Sequence, residues 1–361
     1  MNPTRTLRVR GLDDLPLLVP HLVGFHPEES IVVIGLRGEA SRVAVTVRID
    51  LPPPDHPLDE VVAQVGVALL GLENAAVDEA ILVVYPRPDD LPWSVEPPGP
   101  LPHEDLLGEI AAELLERGIG VTDMVCVGLG RQTSYLCRSE TCCPPAGREI
   151  DTSGATLVEA ELVGAGSAPL AGRGSLVEQL APREEDDPVL RAVRRARPAA
   201  YVRVAGAVER TERFVEDVRR CGRSPRDHAL AARLVATVGH LLETIPSRDL
   251  LLRALSLDPD PELLPLARRV LAEAVRCAGP GDVARPAAAL AVCSWVDGDG
   301  AAAWVALDRA LADDPSYSLA HLVGEALSQG QPPWTWTAIM ASLTAEEILA
   351  AARPDPGRSP G

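Results

Sequence analysis

The sequence predicts a mixed α/β domain over residues 1–181, followed by an all-α domain over residues 182–352 built of helical hairpins in the style of tetratricopeptide repeats. Three observations carry that prediction. Short β-branched runs alternate with helical patterns through the first half. Strand patterns stop at a charged segment, APREEDDP, residues 181–188. Beyond it, RALSLDPDPELLPLA (253–267) is echoed by RALADDPSYSLAHLV (309–323). A chain of 361 residues is also too long for one ordinary core, so two domains are expected.

The elements follow in order. SIVVIGLRG (30–38) and RVAVTVRIDL (42–51) are β-branched runs separated by a turn and predict an antiparallel hairpin. PPPDHP (52–57) breaks the chain. LDEVVAQVGVALLGL (58–72) places Val61, Val65, Ala68 and Leu69 on one helical face. EAILVVYP (79–86) is continuously apolar, as suits a central strand covered on both faces. RPDDLPWSVEPPGPLP (87–102) predicts a proline-rich surface loop, and HEDLLGEIAAELLERG (103–118) an amphipathic helix stopped by glycine. VTDMVCVGLG (121–130) predicts a strand on which RQTSYLC (131–137) pairs back. In the second half, SPRDHALAARLVATVGHLLETI (224–245) opens with Ser224 as the N-cap and Pro225 at the first helical position. Further helices run to about residue 352, and residues 353–361 predict a disordered tail. In the second copy of the echo, Ala303, Leu307, Ala310 and Pro315 match half of a tetratricopeptide repeat. The copies lie 56 residues apart, against a period of about 34 for that repeat.

Composition excludes several function classes. The formal charge of −18 argues against a nucleic-acid surface and against docking on anionic lipid. All 34 cationic residues are arginine, so no lysine exists to complete a Walker phosphate loop. LPLLVPHLVGF (15–25) follows two aspartates and contains prolines, unlike a signal peptide, and no uninterrupted apolar run reaches the length of a membrane span. Seven cysteines without a secreted-scaffold spacing fit a reducing, cytoplasmic setting.

Four stretches occur in order along the chain: LVPHLVGFHPEESIVVIGLRG, RIDLP, SYLCRSETCCPPAG and GDGAAAWVALDRALADDPSYSLAHLVGEAL. In this order they resemble the actinobacterial family labelled domain of unknown function forty-one ninety-two, over about residues 7–336. The matching positions are Pro20, Gly24, Phe25, Pro27, Ser30, Arg48 and Asp50, then Cys137, Cys142, Cys143, Pro144 and Gly147. Arg226, Asp227, Gly298, Gly300, Asp314 and Pro315 complete the set. The resemblance implies no particular activity.

Candidate chemistry gathers at the same positions. Cys137, Cys142 and Cys143 leave three readings open: a structural turn of buried small side chains, a zinc site short of a fourth ligand, or a reactive thiol charged by Arg138 or Arg148. Because side chains alternate along a strand, Cys142 and Cys143 can share an ion only within a turn. Ser30 follows His26 but precedes a strand, so the expected role of its hydroxyl is bonding to local backbone, not hydrolysis. Arg48 and Asp50, two apart on a strand, share a face and either clamp a polar ligand or form a weak surface pair. Arg226 and Asp227 at a helix start are an interdomain clamp or a simple cap. The function expected is a cytoplasmic binding module whose helical domain faces a protein partner. The alternative is a thiol-dependent or metal-assisted hydrolase or transferase using the three cysteines.

Overall fold

A computed structural model of the chain describes residues 14–53, 56–150, 162, 168–224 and 227–351. The tail predicted at 353–361 and Arg226 lie outside the described residues. Two compact units form, one within Met1–Ser175 with Ser328–Gln331, the other within Leu176–Leu327 with Pro332–Gly361.

The first unit begins with helix α1 (Leu15–Val23), then strands β1 (Ser30–Arg37) and β2 (Arg42–Asp50), helix α2 (Leu58–Asn74) and strand β3 (Glu79–Tyr85). Helix α3 (Glu104–Glu116) leads to β4 (Gly120–Gly128), β5 (Arg131–Ser134) and the short β6 (Arg148–Glu149). The strands make one sheet in the order β2-β1-β3-β4-β5-β6. Every neighbouring pair is antiparallel except β3 and β4. That parallel step requires a crossover, and α3 supplies it.

The apolar run of β3 is buried on both faces, as its lack of alternation predicts. Ala80, Leu82 and Val84 join Ile31, Val33 and Cys126 against α2 and α3, where Leu69, Leu107, Ile110 and Leu114 are fully buried. Ile81, Val83 and Tyr85 join Val32, Ile34 and Val125 on the other face, under Leu15 and Val19 of α1. The sequence patterns do not anticipate α1, because Pro16 and Pro20 are helix breakers. Pro16 sits in the first turn, where no N–H is needed. Pro20 lies inside the helix, and the burial of Leu15, Leu18 and Val19 offsets the bond it removes. The loop at 87–102 is less superficial than predicted: Leu91 and Pro92 are buried.

The second unit is helical, and no strand follows β6 among the described residues. Its helices are α4 (Arg173–Gln179, which begins in the first unit), α5 (Pro188–Arg195), α6 (Tyr201–Val204), α7 (Ala207–Arg223), α8 (His228–Leu241) and α9 (Ile245–Leu257). They continue with α10 (Leu263–Cys277), α11 (Ala284–Val296), α12 (Gly300–Asp313), α13 (Ser318–Ser328), α14 (Pro333–Ser342) and α15 (Ala345–Ala351). No described helix is long and apolar enough to cross a membrane.

The internal echo is one helix corner used twice. In the first copy the Asp258 carboxylate accepts from the Asp260 N–H after α9, and Leu263 and Ala267 of α10 are buried. In the second, the Asp314 carboxylate accepts from the Ser316 N–H after α12, and Leu319 and Val323 of α13 are buried. Proline after each aspartate stops the first helix, and apolar residues four apart seat the second. Ala303, Ala306 and Ala310 are fully buried on α12, so small side chains line its packed face.

Candidate functional site

One end of the sheet, on the face covered by α1, collects the predicted polar residues of the first half. Ser30 pairs directly with Asp50 of β2 and with Tyr85 of β3. Arg48 pairs with Val32 and so shares that face by the period-two alternation of strands. The predicted Arg48–Asp50 ion pair forms, with Nη2 to Oδ1 at 2.7 Å. Its two members differ in exposure: the Arg48 side chain is 17% exposed and that of Asp50 73%. Nη2 of Arg48 also donates to the Glu28 carbonyl at 3.3 Å, and the guanidinium lies over the Phe25 ring at 5.5 Å from its centre.

The segment before β1 holds this arrangement. Gly24 caps α1 in the left-handed conformation, which a residue without Cβ adopts freely. Phe25 then bridges to Leu170, with the His26 N–H donating to the Leu170 carbonyl and the Leu170 N–H to the Gly24 carbonyl. Glu29 takes a φ of 41°, accepts the Leu51 N–H on its carbonyl and pairs its carboxylate with Arg87 at 3.0 Å. A residue held at positive φ beside a polar cluster marks local strain.

Three atoms of this cluster are buried without a hydrogen-bond partner: Ser30 Oγ, Arg48 Nε and Tyr85 Oη. The expectation that Ser30 bonds local backbone is therefore corrected; its hydroxyl is fully enclosed and unsatisfied. His26 is exposed and forms no pair with it. Burial raises the Tyr85 phenol far above its ordinary range, so it stays a neutral donor and acceptor. Sequence reasoning missed Tyr85. The available signal was its place as the single hydroxyl in an otherwise aliphatic central strand.

The cysteine turn lies beyond the opposite side of the sheet. From β2 to β5 there are four strand steps, about 19 Å. Ser134, at the end of β5, fixes the start of the turn: its Oγ donates to Asp123 at 2.6 Å and accepts the Leu136 and Cys137 N–H groups, each at 3.1 Å. The Ser139 carbonyl accepts from both Cys142 and Cys143 N–H, at 3.2 and 2.8 Å, which curls the two adjacent cysteines into one turn. Gly147 closes it at φ 66° beneath the Trp93 ring.

The thiols are not the buried small side chains that a purely structural turn predicts. Cys142 is exposed, and Cys137 and Cys143 are half-buried. Cys137 and Cys142 sulfurs lie 2.9 Å apart, Cys142 and Cys143 sulfurs 3.7 Å, and all three fall within 4.8 Å of one another. Hydrogen bonds from the Cys142 thiol first, then from the Ser139 N–H and the Cys143 thiol, hold Cys137 below the ordinary thiol range. The same bond to Cys137 pushes Cys142 up to about 11. Burial raises Cys126 and Cys293 to about 12 and leaves both as inert core residues.

Those of the remaining predicted residues that are described are occupied structurally. Asp227 is the N-cap of α8 and accepts the Leu230 N–H at 2.9 Å, so the helix starts at His228, not at Ser224. Ser224 instead ends α7. In the GDG motif, Gly298 turns the chain at φ 84°, and Asp299 caps α12 while pairing with Arg268.

No curated protein and no solved structure matches this chain. A family model described as domain of unknown function (DUF4192) matches residues 14–334, which span α1, the polar sheet end, the cysteine turn and the helical array as far as α14. The chain therefore belongs to the DUF4192 family.

Proposed function

We propose that the protein is a binding module whose first unit takes a small polar ligand at the α1-covered end of the sheet. One observation carries this reading: Ser30 Oγ, Arg48 Nε and Tyr85 Oη are buried on one face, near one another in the strand register, and none has a partner. A buried polar group left unsatisfied costs about 1–3 kcal/mol, and three together need an explanation. A guanidinium N–H and two hydroxyls donate together to a carbonyl or carboxylate oxygen. The surrounding charges are Arg48 and Arg87 against Glu28, Glu29 and Asp50, an excess of one negative charge. That balance disfavours a phosphate dianion more strongly than a singly charged carboxylate, and least of all a neutral carbonyl. The exposed Asp50 marks the side from which such a group enters.

The helical unit is the partner-facing half in this reading. Trp304 on α12 and Leu322 on α13 are exposed large apolar side chains. The thiol-dependent enzyme is less well supported, since among the described residues no hydrogen bond joins a histidine to any of the three thiols.

Thermal unfolding in the presence of acetate, lactate and benzoate tests the ligand site. A ligand at a hundred times its Kd stabilises the folded state by about 2.7 kcal/mol, or roughly 5–10 °C for a unit of this size. Arg48→Met is expected to abolish the shift, and inorganic phosphate to produce none. Unchanged Tm across the carboxylate panel in the wild-type protein would overturn the reading.

A further inference from the structure

We propose that Cys137, Cys142 and Cys143 form a three-thiolate site for Zn2+ with an open fourth position. The site is independent of the polar cluster at the other side of the sheet and stands or falls separately.

Geometry carries the inference. Zinc held by thiolates at about 2.3 Å in tetrahedral geometry needs sulfurs about 3.8 Å apart. The Cys142–Cys143 separation of 3.7 Å meets that spacing as it stands. Cys137 and Cys142, at 2.9 Å, need to open by about 0.9 Å. These side chains sit on an exposed turn, so small χ1 rotations suffice and no core packing has to move. The adjacent pair meets the requirement for sharing an ion, because both N–H groups converge on the Ser139 carbonyl and curl the backbone. Alternation on a strand would have separated the two sulfurs.

A second feature points the same way. The turn is fixed from below by Ser134 and Asp123 and from the side by Arg131, whose guanidinium donates to the Ala146 and Gly147 carbonyls. This framework holds the three sulfurs together, with Cys142 exposed. Three protein ligands with the fourth position facing solvent is the arrangement zinc takes where it binds an exogenous group. Soft thiolates select such an ion over Mg2+ or Ca2+.

Binding replaces three S–H bonds by three Zn–S bonds, and the thiol protons pass to solvent. The reaction involves no change of oxidation state. Uptake is consequently proton-coupled and weakens as pH falls.

The test uses the full chain purified under reductant, with Co2+ as a spectroscopic stand-in and Zn2+ as competitor. The expected result is one equivalent of Co2+ with intense thiolate-to-metal absorption in the near ultraviolet and tetrahedral visible bands, displaced by one equivalent of Zn2+. Release of about three protons per ion in weak buffer accompanies binding. Cys137→Ser, Cys142→Ser and Cys143→Ser should each weaken Zn2+ binding at least 100-fold while the circular dichroism spectrum stays unchanged. Cys221→Ser, in the helical unit, should leave binding intact. Absence of thiolate absorption in reduced wild-type protein, or binding that survives Cys142→Ser, would overturn the proposal.

Discussion

The two units handle their polar side chains differently. In the helical unit many described charged residues at helix ends are consumed by the fold. Asp187, Asp227 and Asp299 cap helices, and the Asp313 carboxylate gathers the N–H groups of Gly281, Val283 and Ala284. Arg183 bridges Glu273 and Asp187. In the sheet unit the motif residues are held in place but left with unused capacity. Ser30, Arg48 and Tyr85 keep unpartnered buried atoms along adjoining strands, and three thiols meet on an exposed turn. The helical unit also has orphans, at Ser294 on α11, Arg309 on α12 and Thr335 on α14, but no strand register sets these side by side. Polar groups spent on caps and forks set shape, whereas polar groups gathered and unspent mark sites.

The largest test of this contrast lies in two glycines that both adopt positive φ. At Gly147 an added Cβ would stand 2.7 Å from Trp93 Cε3, so conformation and space both demand glycine. Gly147→Ala should destabilise the sheet unit by about 2–4 kcal/mol, adding left-handed strain to an overpacked contact. At Gly298 nothing lies within 4 Å, and only the backbone conformation matters. Gly298→Ala should cost about 1 kcal/mol. Hydrogen exchange resolved to each unit measures both. Equal effects would mean that the cysteine turn is no more tightly seated than an ordinary helix end.

Removing hydroxyls gives a smaller effect but a sharper contrast, because the sign is expected to differ. Thr237 in the helical unit is buried, accepts the Ala199 N–H at 3.0 Å and donates to the Arg233 carbonyl at 2.7 Å. Thr237→Val leaves that N–H without its acceptor and should cost about 1–2 kcal/mol. Ser30→Ala and Tyr85→Phe remove hydroxyls that bond to nothing in the protein. Without ligand, each should be neutral or stabilising by up to about 1 kcal/mol. Denaturant midpoints at constant m-value check all three. A loss above about 1 kcal/mol for Ser30→Ala would show that its hydroxyl is already satisfied.

The same contrast explains what the sequence reveals. Period and punctuation locate β1, β2, β3 and β4 and the amphipathic faces of α2 and α3, because Val61, Val65 and Leu69 or Ala80 and Leu82 have no other way to be buried together. Helix α1 is illegible, since its prolines oppose a local pattern that only the sheet beneath it outweighs. Arg48 and Asp50 show themselves through strand alternation, which is a local rule. Tyr85 does not, because its relation to Ser30 is a matter of register between strands 55 residues apart in the chain. The cysteine turn is legible as a turn, but the convergence of its sulfurs depends on one shared carbonyl, Ser139, that spacing alone does not identify. Asp227 is legible as a cap, although the helix starts later than its Ser-Pro signal suggests.

Acid should separate the two units by pH rather than by size of effect. In the sheet unit, burial lowers the His103 pKa, with Asp90 raising it and Arg87 lowering it. The residue is also the N-cap of α3, where a positive charge opposes the helix dipole. The unfolded chain therefore takes up the proton more readily than the folded one. This contribution to stability is complete above about pH 6.5 and declines as pH falls toward the depressed folded value. In the helical unit burial opposes ionisation of Glu273, but the Arg183 fork outweighs it and holds the carboxyl below its ordinary range. Hydrogen bonds from Ser316 depress Asp314 in the same direction. Their contributions persist until the pH falls below about 4. Exchange at pH 7, 5.5 and 3 should show protection of α3 weakening first, with the α10 region following only at the lowest pH. His103→Gln should remove the early loss while leaving the later one. If both units weaken together near pH 4, the histidine is not buried against its own charge, and the contrast in acid response between the units disappears.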